Sequence, residues 1–194
     1  GIPYIFHDDN LSRLFGKDTI FNSIHSNEID KLMLFDKYKI PTLKETLNKF
    51  PDTFFQIDVK TDEVTEPAMK VIKETNSINR VCIASFSSDR LSLVGSLYPE
   101  VCLSMGPREI IKLFLASYGL YKKKIPGNCL QVPIYQYGIK LATKRFVKYA
   151  QSIGLKIHVW TINDEDTMLK LIDLGVDGII TDRPKTLKDL LSHH

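Results

Sequence analysis

The chain has 194 residues, 43% hydrophobic and 25% charged, with a formal net charge of +3. That length predicts one domain over residues 1–194, large enough to bury a core without disulfide staples. The near-average composition excludes a disordered, collagen-like or coiled-coil chain, and the absence of any run of about eighteen apolar residues argues against a membrane-spanning helix.

The predicted elements alternate along the chain. Ile2–Phe6 reads as a short strand ending at His7, and Ser26–Leu32 as a small helix. Thr42-Leu43-Lys44-Glu45 is a capping-box pattern that opens a helix to about Phe50. Phe54–Lys60 reads as a strand. Thr65–Thr75 reads as a helix, with Pro67 in its first turn. Val81–Phe86 is a strand, followed by a helix capped by Ser88 that runs to about Leu97. Val101–Met105 is a strand and Arg108–Ala116 a helix. Cys129–Pro133 is a strand, and the helix Thr143–Ile153 is stopped by Gly154. Lys156–Ile162 is a strand, and Asn163 caps a helix that ends at Gly175. Val176–Thr181 is a strand and Thr186–Leu191 a helix. His193 and His194 read as a tail. Seven strands alternating with helices point to parallel strands with crossover helices, in a barrel or a doubly wound sheet. No dinucleotide or Walker A glycine loop follows any strand.

Cys82, Cys102 and Cys129 are odd in number and lack C-x-x-C spacing, which argues against a disulfide framework or a zinc site. They read as small buried hydrophobes in a reducing, cytoplasmic setting. Charge is unevenly spread. Arg108–Lys156 carries ten basic residues and one acid, so that segment is +9 and the remainder −6. Solvated helix faces explain this most simply; a basic surface for an anionic substrate or membrane is the sharper reading. No nucleic-acid motif accompanies the charge. Leu113-Phe114-Leu115 and Leu120-Tyr121 adjoin Lys122-Lys123-Lys124, so a peripheral membrane contact is the alternative to a core-packed helix with a basic loop.

Function collects at the carboxyl ends of barrel strands. His7 follows the first strand and has the residue type for general acid or base work, against the plain reading of a turn histidine. Gln56, Asp58 and Lys60 share one strand face because strand period is two. Asp58 suits a hard divalent ion and Lys60 a phosphate oxygen; a structural salt bridge is the competing reading. Trp160 sits near a strand's carboxyl end, where it can wall a pocket. His158 lies a layer deeper and stays outside the catalytic set. Asp182 reads as a loop-ordering residue more than a ligand.

The motif order resembles the glycerophosphodiester phosphodiesterase family. The signatures are Gly1–Arg13, Ile40-Pro41-Thr42-Leu43-Lys44-Glu45, Gln56-Ile57-Asp58-Val59-Lys60 and Ala84-Ser85-Phe86. His158–Asn163 and Gly175–Pro184 complete the set. The resemblance implies a TIM (β/α)₈ barrel and metal-dependent hydrolysis of glycerophosphodiesters to an alcohol and glycerol 3-phosphate, with lysophospholipids as further candidate substrates. It implies His7 as the histidine acting on the leaving-group oxygen, Asp58 as a metal carboxylate for Mg²⁺ or Ca²⁺, and Lys60 as the phosphate contact. Trp160 and Phe86 become pocket walls, and Gln131 a polar residue facing the pocket. The resemblance also implies attack by the substrate's glycerol hydroxyl, through a cyclic phosphate.

The family pattern departs at the start. A strand with His-Arg-Gly and segments with Glu-Asn-Thr and Glu-x-Asp are absent, so the barrel is expected to be incomplete at its N-terminus. A lone Asp58 is a poor divalent-ion site, since such ions want several oxygen ligands. The competing reading is a catalytically inactive barrel remnant that binds phosphate or a protein partner.

Overall fold

The computed structural model describes residues 1–193. The tail expected at His193 and His194 is met only in part: His193 ends the last helix, and His194 lies outside the described residues. The chain divides into two compact units, the first Gly1–Phe55 with Val59–Val81, the second Gln56–Asp58 with Cys82 onward.

In the first unit the expected strand Ile2–Phe6 does not form. Tyr4 makes one antiparallel bridge to Thr42, with Ile5 N donating to Pro41 O at 2.9 Å and Leu43 N to Pro3 O at 2.8 Å. Pro3 and Pro41 both lack the N–H a longer ladder needs. Helix α1 (Ser12–Phe15) is closed by Gly16 at φ 64°, the left-handed conformation glycine adopts without strain. Helix α2 (Ser26–Ile29) is shorter than expected. A hairpin of β1 (Met33–Leu34) and β2 (Tyr38–Lys39) follows; it turns on Phe35 and Asp36, at φ 52° and 54°.

Helix α3 (Leu43–Lys49) carries the expected capping box: Glu45 N donates to Thr42 Oγ1 at 3.1 Å and Thr42 N to Glu45 Oε2 at 2.8 Å. The Arg80 guanidinium gathers carbonyls in the last turn of this helix and beyond it, from Leu47, Phe50 and Thr53, at 2.7–3.0 Å. Helix α4 (Asp62–Glu74) starts three residues earlier than expected, because Asp62 and Glu63 suit the positive end of a helix dipole. Pro67 consequently lies inside the helix rather than in its first turn, where it removes one backbone hydrogen bond. Thr65, Ala68, Met69 and Ile72 form its buried stripe, at the spacing of one helical face, and the helix packs against α3.

The second unit holds the main parallel ladder. Its strands are β3 (Phe55–Asp58), β4 (Val81–Ala84), β5 (Cys102–Leu103), β6 (Cys129–Val132), β9 (Lys156–Val159) and β10 (Gly178–Ile179). The intervening β7 (Tyr135–Gln136) and β8 (Ile139–Lys140) form a side hairpin. Strands β3-β4-β5 form one sheet and β6-β9-β10 another. The isolated parallel bridge Ser104–Cys129 joins them. Helices α5 (Ser88–Leu97), α6 (Pro107–Ser117), α7 (Lys144–Ser152), α8 (Glu165–Leu174) and α9 (Pro184–His193) fill the connections.

Successive strands thus lie side by side with helices between them, as in consecutive units of a (β/α)₈ barrel. Among the described residues the ladder does not close: it ends at β3 on one side and β10 on the other. Six of the seven expected strands are present, mostly shorter than expected. The core of this unit is formed by Leu113, Leu130, Val132, Phe146, Ile157 and Met168, all fully buried, with their neighbours. Two caps differ from expectation. Ser87, not Ser88, accepts from Arg90 N and opens α5. Asp164, not Asn163, accepts from Thr167 N at 2.9 Å and opens α8.

Candidate functional site

His7 and Lys60 fall in the first unit; Asp58, Phe86, Gln131 and Trp160 fall in the second. His7 extends from an aromatic cluster in which Phe6 stacks on Phe21 at 4.4 Å between ring centroids and Phe15 lies beside it. Its side chain is 83% exposed, and Nδ1 lies 2.9 Å from Asp8 Oδ1. Asp8 is held in turn by Arg13, through Nε at 2.7 Å and a terminal guanidinium nitrogen at 3.0 Å. The hydrogen bonds from Arg13 and His7 draw the Asp8 carboxyl down to about 2. An ionised carboxylate only accepts, so Nδ1 carries the proton of this bond. Nε2 is then the nitrogen left to exchange a proton, which is how a carboxylate orients a catalytic imidazole. Asp8 and Arg13 were not among the expected site residues. Their spacing of five, through a loop and one helical turn, has no regular-element periodicity to reveal it.

Asp58 is the last residue of β3 and is half-buried, with Oδ1 shielded from solvent. Lys60 follows two residues later and is exposed. Among the described residues, the one group of three or more His, Cys, Asp or Glu side chains placed to share an ion is Cys82, Cys102 and Cys129. Asp58 belongs to no such group among the described residues, so these residues do not complete an oxygen-rich site of the kind Mg²⁺ or Ca²⁺ takes.

Phe86 and Trp160 come together. They lie just beyond the carboxyl ends of β4 and β9, with ring centroids 6.1 Å apart and planes at 80°. Phe86 remains 67% exposed, so the pair offers an open apolar edge at the strand end where barrel sites form. Gln131 lies on the interior of β6 and is buried. Its Oε1 accepts from Ser104 Oγ, and its Nε2 donates to Cys129 Sγ at 3.4 Å. Any contact from Gln131 to a substrate would have to exchange one of these bonds.

His158 is opposite Gln131 in register. Burial pushes its imidazole toward the neutral form, against the pull of Asp177. Asp177 anchors the start of β9: it accepts from Lys156 Nζ at 2.8 Å, Ile157 N at 3.0 Å and Gln151 Nε2 at 3.1 Å. Burial raises its carboxyl, but these three donors outweigh that and lower it. Asn163, displaced from its expected cap, bonds Asp182: Nδ2 donates to Asp182 Oδ2 at 2.8 Å, and Oδ1 accepts from Asp182 N at 2.9 Å. Asp182 is thus tied into its loop.

The cysteines depart most from expectation. Too far apart in sequence for a ligand motif, they converge so that all three Sγ atoms lie within 4.8 Å of one another. Hydrogen bonds from Cys129 and Cys82 pull the Cys102 thiol below the ordinary thiol range, and hydrogen bonds with Cys102 and Cys129 push that of Cys82 up. Around the basic loop, Leu113 is fully buried and Phe114 packs on the core, whereas Leu120 is exposed beside Lys122-Lys123-Lys124. Among the described residues no helix is long and apolar enough to cross a membrane.

The model of the glycerophosphoryl diester phosphodiesterase family matches residues 1–186. The probable glycerophosphodiester phosphodiesterase 2 of Mycobacterium tuberculosis is 30% identical over 98% of this chain and 75% of that protein. A glycerophosphodiester phosphodiesterase crystal structure from Parabacteroides distasonis superposes with a TM-score of 0.78 at 22% identity, over 98% of this chain and 78% of the other. A phosphodiesterase from Oleispira antarctica, crystallised with its product sn-glycerol-3-phosphate, gives 0.76 at 21% identity, over 98% and 80%.

Proposed function

The chain belongs to the glycerophosphoryl diester phosphodiesterase family, and on that premise we propose that it hydrolyses glycerophosphodiesters to an alcohol and glycerol 3-phosphate. The observation that carries this reading is the Arg13–Asp8–His7 relay, in which a fixed Nδ1 bond leaves Nε2 of an exposed imidazole for proton transfer. The substrate's glycerol hydroxyl bonds to phosphorus as the P–O bond to the alcohol breaks, and His7, as imidazolium, gives the Nε2 proton to the departing alkoxide oxygen; water then opens the cyclic phosphate to glycerol 3-phosphate. A positioned acid of this kind contributes roughly 10²–10⁴-fold. Lys60 Nζ offsets charge on the non-bridging phosphate oxygens. Phe86 and Trp160 take the apolar side of the substrate, and Gln131 supplies a polar contact by exchanging a bond. The product complex of the Oleispira antarctica enzyme supports the glycerol phosphate class of ligand.

A divalent ion, Mg²⁺ or Ca²⁺, belongs to this reading as an expected cofactor, with Asp58 as its carboxylate. The described residues do not complete that site, so no step is routed through the ion. The second reading is a fold that binds phosphate or a protein partner without turnover, for which Lys60 is the phosphate contact.

Hydrolysis of glycerophosphocholine and of a lysophospholipid, each with Mg²⁺ or Ca²⁺, separates the two. The proposal expects turnover that falls at least a hundredfold in His7→Ala and strongly in Asp58→Asn. Phosphate binding that depends on Lys60, with no turnover of either substrate, would establish the second reading.

A further inference from the structure

Strands β4, β5 and β6 meet at a weak point of the ladder. Within each three-stranded sheet the pairing is continuous, but between β5 and β6 it narrows to the Ser104–Cys129 bridge. Four hydrogen bonds close by support it: Met105 N to Cys129 O and Asn128 N to Leu103 O, each at 2.8 Å, Leu103 N to Asn128 Oδ1 at 2.9 Å, and the Ser104–Gln131 bond. The three cysteines cluster across this seam. Cys82 and Cys102 are register partners on β4 and β5, and Cys129 opens β6.

Parallel register partners point to the same face of a sheet, and so do residues two apart on one strand. Cys82 and Cys102 share a face, Ser104 lies two residues beyond Cys102, and Cys129 is the partner of Ser104. All three thiols therefore enter the same interior layer by strand geometry, within the first two residues of their strands. Phe86 lies beyond the other end of β4, beside Trp160 at the end of β9.

Thiol convergence has two common uses. A disulfide needs Cα atoms about 4.4–6.8 Å apart. Cys82 and Cys129, whose sulfurs are 3.3 Å apart, lie on strands separated by β5, and Cys82 and Cys102 are register partners about 4.8 Å apart, so a disulfide would join two of the thiols and leave the third over. A shared atom at the centre of the trio engages all three. A Zn–S bond of about 2.3 Å and a tetrahedral angle place thiolate sulfurs roughly 3.8 Å apart. That value lies between the 3.3 Å contact and the 4.8 Å outer bound of the cluster. Two of the cysteines are half-buried and the third is buried, so the site is enclosed yet within reach of an incoming ion.

We propose that Cys82, Cys102 and Cys129 form a tris-thiolate site for one thiophilic divalent cation of the Zn²⁺ class, which fastens the β4–β5 sheet to β6. Soft thiolates select such ions over Mg²⁺ or Ca²⁺, which separates this site chemically from any oxygen-liganded ion at Asp58. On binding, one dication replaces the protons of the thiols still protonated and these leave to solvent, with no redox change. Because the ion binds the folded ladder and not the unfolded chain, it raises the unfolding temperature.

The test uses the full chain, reduced and stripped with chelator, and titrated with Cd²⁺ and then Zn²⁺. The expected result is a saturable sulfur-to-cadmium charge-transfer band at one ion per chain, displaced by Zn²⁺, with a rise in Tm. Cys102→Ser, checked for native near-ultraviolet circular dichroism, is expected to weaken binding at least tenfold. A readout free of substitution accompanies it: Zn²⁺ should slow iodoacetamide alkylation of all three thiols together by tenfold or more. A folded, reduced protein that shows no charge-transfer band would overturn the proposal. So would a band unchanged in Cys102→Ser, alkylation unaffected by Zn²⁺, or a Cys82–Cys102 disulfide that persists in the reducing buffer.

Discussion

Asp8 Oδ1 accepts a 2.9 Å hydrogen bond from His7 Nδ1 while both Asp8 oxygens are held by the Arg13 guanidinium. The pair is exposed on the imidazole side, so its value lies in setting the tautomer rather than in stability. Replacing Asp8 with Asn keeps the shape and removes the charge that fixes Nδ1 as the protonated nitrogen. Asp8→Asn is expected to lower kcat by about 10–100-fold, the range for partners that orient a functional histidine, with little change in Tm. Nitrogen NMR of the His7 ring should show the tautomer preference weakened.

The same tether has a pH window. The Asp8 carboxyl is lowered to about 2 by Arg13 and His7. A depressed folded value means the interaction is complete above the ordinary carboxylate range and is lost as pH falls toward about 2. The tautomer signal of His7 in the wild type should therefore not track protonation of Asp8 anywhere between pH 5 and pH 8.

Asp177 is a stability residue. Asp177→Ala leaves Lys156 Nζ, Ile157 N and Gln151 Nε2 without their shared acceptor, at a cost of about 1–3 kcal/mol. Thermal unfolding at pH 7 reads this as a Tm lowered by several degrees. Because the folded carboxyl is lowered, its contribution is present above the unfolded carboxylate value, about 3.9, and fades as pH drops below it. The gap in Tm between wild type and Asp177→Ala should shrink on moving from pH 7 to pH 3.

Phe86 and Trp160 separate binding from folding. Phe86 is 67% exposed, and an edge-to-face pair contributes only about 0.5–1.5 kcal/mol. Phe86→Ala should leave Tm within a few degrees of wild type while raising KM severalfold for the substrate that uses this edge. Trp160 is the chain's single tryptophan, so its emission should change on addition of glycerol 3-phosphate and respond less in Phe86→Ala.

Gln131 offers an interior counterpart. Gln131→Leu removes both its amide bonds, leaving buried Ser104 Oγ without that acceptor, and an unsatisfied buried polar group costs about 1–3 kcal/mol. Denaturant unfolding should show a lower midpoint with an unchanged m-value.

Local rules made much of the fold readable. The Thr42–Glu45 capping box depends on residues three apart, and it formed as expected. The order of strands and helices from Phe55 onward followed from period and punctuation. Ile2–Phe6 failed as a strand because two prolines on facing segments removed its donors, and that pairing is visible only in space. The β7–β8 hairpin escaped notice because its strands are two residues long and it turns on Tyr137 and Gly138, at φ 50° and 77°. Among the candidate residues, the places of Asp58, Phe86 and Trp160 at strand ends could be inferred from motifs, whereas the support of His7 by Arg13 could not. The cysteine trio is the clearest case: Cys102 lies 20 positions after Cys82, and Cys129 lies 27 positions after Cys102. Only the side-by-side order of β4, β5 and β6 brings their sulfurs into one layer.

The central claim is phosphodiester hydrolysis, and phosphorus NMR of the reduced chain incubated with glycerophosphocholine and Mg²⁺ or Ca²⁺ tests it most directly. The account predicts loss of the diester resonance and growth of glycerol 3-phosphate, with neither change in His7→Ala. A diester signal that stays constant with the folded wild-type chain, or that decays equally in His7→Ala, would contradict it.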